Sequence, residues 1–394
     1  MATAVNGSNV TISSPIYMPN FRSGQSPQAW TYTPLLNSGI ENLSVDGTSS
    51  GGASNIILFN TWQCWIKGVR SINPLHYHAT LFEAAHSAVR DSYFFLTQGA
   101  ATESYGIQLQ VDADTLIENN IFQQITAPVT VNGSSHGAVA SYNFSINDFF
   151  NTQNFMMFAQ WLHSAGIGML LFEGNQGAGF AGDDIHGTHH FVTLFRNYYN
   201  GWETGKTTQT NSVYLAAYSR YFNLIGNVLG KSGYHNQYQS IAPNSTNQDT
   251  SIYEIGYGNG SPNDSLVNST VMRWGNYDTV NGSVRFVNTE VPSGLSLYSN
   301  AVPASQALPA SFYLSARPSW WSSLTWPAVG PDVTGGNIAN VGGHVYAIPA
   351  QLCYTNSMAG PADGTGSVLS YNASTCYGSS SAPAAPTNLS VVVN

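Results

Sequence analysis

The sequence predicts an all-β fold, a right-handed parallel β-helix with an irregular C-terminal wrap, and three observations carry that expectation. A short theme recurs from Ile40 onward: a few β-branched or aromatic residues, then Gly, Asn or Asp, then another apolar run. Most copies lie about 22 to 30 residues apart, the size of one supersecondary coil. Long helical periodicity is absent, and the chain of 394 residues is 42% hydrophobic but only 8% charged, with 38 Gly and 18 Pro. That composition excludes a disordered polyelectrolyte and a coiled coil.

Residues 1–36 read as an N-terminal strand or cap segment, and residues 37–290 as the helix proper. The clearest copies of the theme are Trp65-Ile66-Lys67-Gly68-Val69, Ala88-Val89-Arg90-Asp91-Ser92, Leu116-Ile117-Glu118-Asn119-Asn120, Ser141-Tyr142-Asn143, Leu171-Phe172-Glu173-Gly174-Asn175, Leu194-Phe195-Arg196-Asn197 and Leu224-Ile225-Gly226-Asn227. Runs this short read as strands, and the residue after each supplies the left-handed backbone that turns a corner. Stacking such coils pairs every strand with its counterparts above and below and buries one apolar column. Asn119, Asn143, Asn175, Asn197 and Asn227 are therefore expected at corners, their amides bonded to neighbouring coils. A leucine-rich repeat has a similar period, but its leucine spacing and helical segment are missing. Irregular spacing near Phe149–His163 and Thr204–Asn211 predicts loops projecting from the stack. The regular pattern fades after about Gly233. Residues 291–378, rich in Pro, read as an irregular wrap that Trp320-Trp321 pins to the solenoid, and residues 379–394 as a linker and the start of a further module.

With 11 Lys+Arg against 20 Asp+Glu the formal net charge is −9, so no cationic field is present to hold a phosphate backbone. Nucleic acid is not expected as a partner. The surface this composition implies, hydroxyls, amides and aromatic rings, suits a carbohydrate. The most apolar stretch, Phe155–Phe172, is broken by Gln160, His163, Ser164 and two glycines, so no membrane span is expected. Of three cysteines, Cys353 and Cys376 flank a Gly/Ser-rich loop and could pair, which would leave Cys64 as a buried thiol; the sequence alone does not decide the pairing. The first residues lack the basic and apolar regions of a signal peptide, so the chain is either cytoplasmic or a mature fragment, and we favour a mature fragment of a secreted or cell-surface protein.

The repeat period, the asparagine-bearing turns and the run Phe180-Ala181-Gly182-Asp183-Asp184-Ile185-His186-Gly187 resemble the pectin-lyase-like superfamily of parallel β-helices, which contains polysaccharide lyases, polygalacturonases and phage tailspikes. The resemblance covers roughly residues 37 to 290 and implies an extracellular polysaccharide as ligand. In polygalacturonases the Asp-Asp and His-Gly pairs sit on neighbouring coils, whereas here both lie in one.

Asp183, Asp184, His186, His189 and His190 form the densest group of titratable residues. Strand alternation would put Asp184 and His186 on one face and Asp183 on the other. We take Asp183, Asp184 and His186 as candidate catalytic residues, since paired carboxylates one or two coils apart span the distances glycosidases use. His163, Glu173, His189, Arg196, Trp202 and Arg220, on the coils around them, are the candidate substrate-binding residues. Tyr198, Tyr199 and Trp161 are further stacking candidates. A second group, His76, His78, Glu83 and His86 with Arg70 and Arg90 nearby, reads as a groove wall or loop. Calcium is a possible cofactor, held by Asp112 and Asp114 on one strand face, although a solvated strand edge explains the same pattern. A transition metal finds less support, because no paired cysteines or helical His-x-x-x-His accompany the histidines. The expected activity is cleavage of glycosidic bonds, by hydrolysis rather than elimination because Lys and Arg are scarce. The alternative is a non-catalytic structural, adhesive or carbohydrate-binding module.

Overall fold

The computed structural model describes residues 2–13, 15–17, 21–29, 31–101, 103–244, 248–295 and 301–378. The linker and the strand expected after residue 378 lie outside them. Two units are distinguished, residues 1–33 and residues 34–394. In the first, Ala2–Asn6 and Asn9–Ile12 pair as an antiparallel hairpin. The second is a parallel β-helix.

One in-register column traces its successive coils: Ile40, Ile66, Val89, Ile117, Ala140, Phe172, Leu194 and Leu224. The column ends on Arg273, whose guanidinium lies over Tyr238 and Tyr253 and donates to Gln239 Oε1 at 2.6 Å. Each coil gives strands to a large sheet that bends around one side and a ten-stranded sheet on the other. The longest described α-helix, Ser265–Thr270, has 6 residues and is capped by the Asp264 carboxylate. No described helix is long and apolar enough to cross a membrane.

The corner between the two sheets is built from a column of asparagines. Asn120, Asn143, Asn175, Asn197, Asn227 and Asn276 occupy the same position in successive coils, and each Oδ1 from Asn143 onward accepts both the backbone N–H and the side-chain amide of the asparagine before it, at 2.9 to 3.1 Å. Each Nδ2 also donates to a carbonyl of the preceding coil, Val89 O for Asn120 and Leu224 O for Asn276. Full satisfaction makes these buried amides favourable. Asn119 does not join the column. It holds the left-handed corner position (φ +56°) one residue earlier, and its amide donates to Asp91 Oδ1 at 2.7 Å.

The wrap runs along this corner and the ten-stranded sheet, from Arg196 to Arg90 at Trp320, back to Arg196 at Val329 and Asp332, and finally to the first coils at Leu369. Trp321 is fully buried beside Tyr142, with ring centroids 4.8 Å apart. Tyr313 bonds Ser141 and Glu118, Gln123 donates to Gly364 O, and Arg70 Nε donates to Leu369 O. Cys353 and Cys376 form a disulfide within the wrap, and Cys64 is a buried thiol.

Candidate functional site

The opposite corner is where the coils differ. Ser54–Trp62, Tyr77–Ala85 and Tyr105–Ala113 are unbroken strands of 9 residues, each bent by one left-handed residue: Asn60, Glu83 or Val111. In the following coils that bend opens into insertions that lengthen along the stack: Asn132–Ser134, His163–Gly166 and Asp183–Thr188. These loops make a ridge beside the outer face of the sheet, and His163, Asp183, Asp184 and His186 lie in them.

His163 follows Leu162, and Asp183 follows Gly182, at the ends of paired strands, so the two residues stand on adjacent coils. His163 Nδ1 lies 2.5 Å from Asp183 Oδ2, and both side chains are nearly buried, at 9% and 4% exposure. Asp183 Oδ1 accepts from Ile185 N at 3.1 Å, the turn that opens the ridge loop. His189 Nε2 donates to the Asp183 carbonyl at 2.7 Å, and burial pushes the His189 imidazole down to about 4 despite the neighbouring Asp183. Nδ1 of His163 is committed to the carboxylate, which leaves Nε2 for proton exchange, the arrangement by which a carboxylate orients a general acid or base.

Aromatic rings surround this pair. Trp161 lies tilted over His163 with centroids 3.8 Å apart, His186 meets His163 edge-on at 4.6 Å, and Tyr105 meets Trp161 edge-on at 5.7 Å. Tyr77 continues the row at 5.7 Å from Tyr105, its phenol pushed up to about 12 by burial and by Glu103. On the far side of Trp161 in the register stand Ala181, Tyr214 and Glu254. Burial pushes Glu254 up to about 7, with Asn211 Nδ2 donating to it at 2.6 Å. The Tyr214 phenol is raised by burial and then by Glu254, Asp184 and Asp183.

The other predicted residues are distributed differently. Strand alternation does not govern residues 183 to 186, because the strand ends at Gly182 and a loop follows. Asp183 therefore turns to His163, while Asp184 turns away and accepts from Asn259 N at 3.1 Å and from the Ser261 hydroxyl. The two carboxylates do not converge on one point. Glu173 is sealed beneath the wrap, accepting from Phe312 N and the Tyr142 hydroxyl, and burial pushes it up to about 7. Arg196, 1% exposed, forks onto Asp332 and donates to the carbonyls of Val329 and Pro309. Trp202 lies in a separate loop, stacked on Tyr234 at 5.3 Å. Arg220 lies across the ridge, Nε donating to Asp264 Oδ2 at 2.8 Å.

The second histidine group does not assemble. His78 points into the core between Ser71 Oγ and Leu96 O, and His86 sits at the bend against Trp62. Asp112 faces inward, where burial pushes it up to about 7, while Asp114 lies 3.6 Å from His86 Nε2. They are therefore not side by side on a solvated strand edge as the sequence suggests, because the strand ends at Ala113 and Asp114 itself holds left-handed backbone, φ +54°. Among the described residues no group of three or more His, Cys, Asp or Glu is placed to hold a metal ion. Sequence reading missed Tyr77 and Tyr105, whose signal was their shared register at the start of consecutive long strands, and Glu254, which carries no motif.

No protein-family model matches this chain, and no curated protein matches it. Among solved structures it is similar to a pectate lyase from Bacillus sp. N165 in complex with trigalacturonate, at 14% identity and a TM-score of 0.39, over 68% of this chain and 79% of that one. The assignment of the fold rests on the parallel strand register itself.

Proposed function

We propose that this chain is a polysaccharide-active β-helix that binds a glycan along the row Tyr77, Tyr105, Trp161 and His186, and that His163, oriented by Asp183, transfers the proton in glycosidic bond cleavage. The observation that carries this reading is the His163–Asp183 pair at 2.5 Å, set among aromatic rings on the outer face. Aromatic faces suit the C–H surfaces of sugars, and a nearly dry His–Asp pair is a proton-transfer group of fixed orientation. Hydrolysis is favoured over elimination, since elimination needs a cation at a uronate carboxylate next to the base. Arg196 and Lys206 are engaged with Asp332 and Asn147, and Arg220 stands across the ridge. A secreted or cell-surface location accords with the Cys353–Cys376 disulfide.

Incubation with a panel of polysaccharides tests the proposal, reading reducing ends together with the ultraviolet absorbance of unsaturated products. New reducing ends without that absorbance are expected, and their loss in His163→Gln. No cleavage of any polymer would shift weight to the second reading, a non-catalytic binding or adhesive rod. That reading has its own observation: Ile57 and Phe59 are 56% and 52% exposed on the outer face of the first coils, with Phe59 stacked on Phe82 at 5.3 Å.

A further inference from the structure

The far end of the ten-stranded sheet makes a third corner. Asn73, Leu96, Gln124 and Asn147 follow in-register strand ends there, and all four hold left-handed backbone, φ +44° to +59°. Beyond Asn147 the coils stop repeating. The chain first runs out through the antiparallel pair Phe149–Phe150 and Thr152–Met156. Two coils later the segment Gly201–Asn211 returns across it, with Thr207 N and Thr208 N donating to Asn154 O. Glu203 of that segment caps the corner: Oε1 accepts from Asn147 N at 2.8 Å and Oε2 from Asp148 N at 3.2 Å.

Lys206 reaches the same corner. It is 2% exposed, its Nζ donates to Asn147 Oδ1 at 2.8 Å, and the Phe149 ring centroid lies 5.2 Å from that nitrogen. Among the described residues Nζ makes no other hydrogen bond and no ion pair. A buried ammonium with one neutral partner is costly, whereas a neutral amine is not. Burial accordingly lowers the Lys206 ammonium, against the opposing pull of Glu203 and Asp148. The Asn147 amide is buried too, and its Nδ2 has no hydrogen-bond partner among the described residues. The third member is Asp148, fully buried, with no hydrogen bond to either carboxylate oxygen among the described residues. Burial and then Glu203 push it well above the usual carboxylate range, so it keeps its proton, and it lies close enough to Lys206 for the two charges to act on each other.

We infer that Lys206 and Asn147 join in an intramolecular isopeptide bond that fastens the segment Gly201–Asn211 to this corner. The neutral Nζ attacks Asn147 Cγ, the atom bonded to the oxygen it already touches. A new N–C bond forms, the Cγ–Nδ2 bond breaks, and Nδ2 leaves as ammonia. Asp148 is the proton carrier, giving its proton to the leaving nitrogen and recovering one from the attacking amine. No electrons change hands and no co-reactant is consumed. Three features suit the step: the amine and the amide are held in contact, the leaving nitrogen has no bond to lose, and a dry site keeps both amine and acid uncharged. The bond would tie residues 59 apart in sequence, in the part of the solenoid where neighbouring coils no longer supply matching contacts. It is independent of the proposed cleavage chemistry, since none of its residues belongs to the glycan face.

The test is intact-mass spectrometry of the full chain, after reduction of the Cys353–Cys376 disulfide, followed by peptide mapping. The wild type is expected to weigh one ammonia less than its sequence, and a branched peptide should join the stretch containing Asn147 to the stretch containing Lys206. Lys206→Arg keeps the positive charge but has no amine to attack, and should show the full sequence mass and no branched peptide. Asp148→Asn keeps both reacting groups and should lower the yield of branched peptide at least tenfold in freshly folded protein. The wild-type map requires no variant and decides the matter even if neither substitution folds. The full sequence mass in the wild type, an ammonia still missing in Lys206→Arg, or a missing ammonia without the branched peptide, as when an asparagine closes on its own backbone, would each overturn the inference. Undiminished branching in Asp148→Asn would overturn the role given to Asp148.

Discussion

The asparagine corner and the histidine ridge are built on the same coils yet obey opposite rules. At the asparagine corner each coil contributes one residue, in one conformation, making the same bonds to the coil above and the coil below. At the ridge the inserted segments lengthen from Asn132–Ser134 to Asp183–Thr188, and each makes its own contacts. Repetition stabilises a solenoid, because a coil contacts little except its neighbours. Departure from repetition places unlike groups side by side, as it does for His163 and Asp183. The lesson is that stability and chemistry occupy different corners of this molecule, and each can be perturbed separately.

The largest effect should come from breaking the column in its middle. Asn175→Leu removes the acceptor of Asn143 N, one of the two acceptors of the Asn143 amide and the amide donor to Ala140 O, in a buried setting. At about 1 to 3 kcal/mol for each unsatisfied group, partly relaxed, a loss of about 3 kcal/mol is expected in denaturant titration. A loss below about 1 kcal/mol would mean that the column is ornament.

At the ridge the expected loss is in rate. His163→Gln and Asp183→Asn should each reduce cleavage about 10²-fold on the polymer the panel identifies, while the melting temperature moves far less than in Asn175→Leu. Stability falling with activity in proportion would assign the pair to structure.

Acidity separates the corners further. His189 is held at about 4 against an ordinary 6.5, so folding favours its neutral form. Its contribution is complete above about pH 6.5 and is lost as pH falls toward 4, at about 1.4 kcal/mol per pH unit. Wild type should therefore lose stability more steeply than His189→Asn across that window. Asn175→Leu should keep the wild-type slope, because amides do not titrate. Parallel curves for wild type and His189→Asn would contradict the assignment.

The smallest effect is expected at Asn119, which stands at the same corner but outside the column. Asn119→Gly suits its positive φ and loses only the bond to Asp91, so about 1 kcal/mol or less is expected in the same denaturant titration. A loss equal to that of Asn175→Leu would mean that corner conformation, and not the shared amide bonds, holds the coils together.

Much of this was legible in the sequence. The period, the apolar runs and the corner asparagines are local signals repeated coil after coil, so Asn143, Asn175, Asn197 and Asn227 could be placed from spacing alone. Asn119 and Asn120 could not be told apart, because the period is read to within a residue and only the left-handed backbone at Asn119 decides which one joins the column. The run Gly182–Gly187 drew attention to Asp183 because titratable residues are scarce.

What the sequence by itself determined, then, is the solenoid: β-branched runs and turn residues at a steady interval have few other ways to satisfy their backbone and bury their side chains. Only the tertiary structure decided what each charged residue does. Glu173 and Arg196 follow their strands in the same pattern as residues left in the open, yet the wrap, arriving more than a hundred positions later in the chain, covers both. Asp183 and Asp184 are neighbours in sequence but part at a strand end, one toward His163 and the other toward Ser261. The physical reason is range. A corner is set within the repeat, by a turn residue and the bonds of the adjacent coils, whereas the environment of a carboxylate is set by whatever distant segment comes to lie over it.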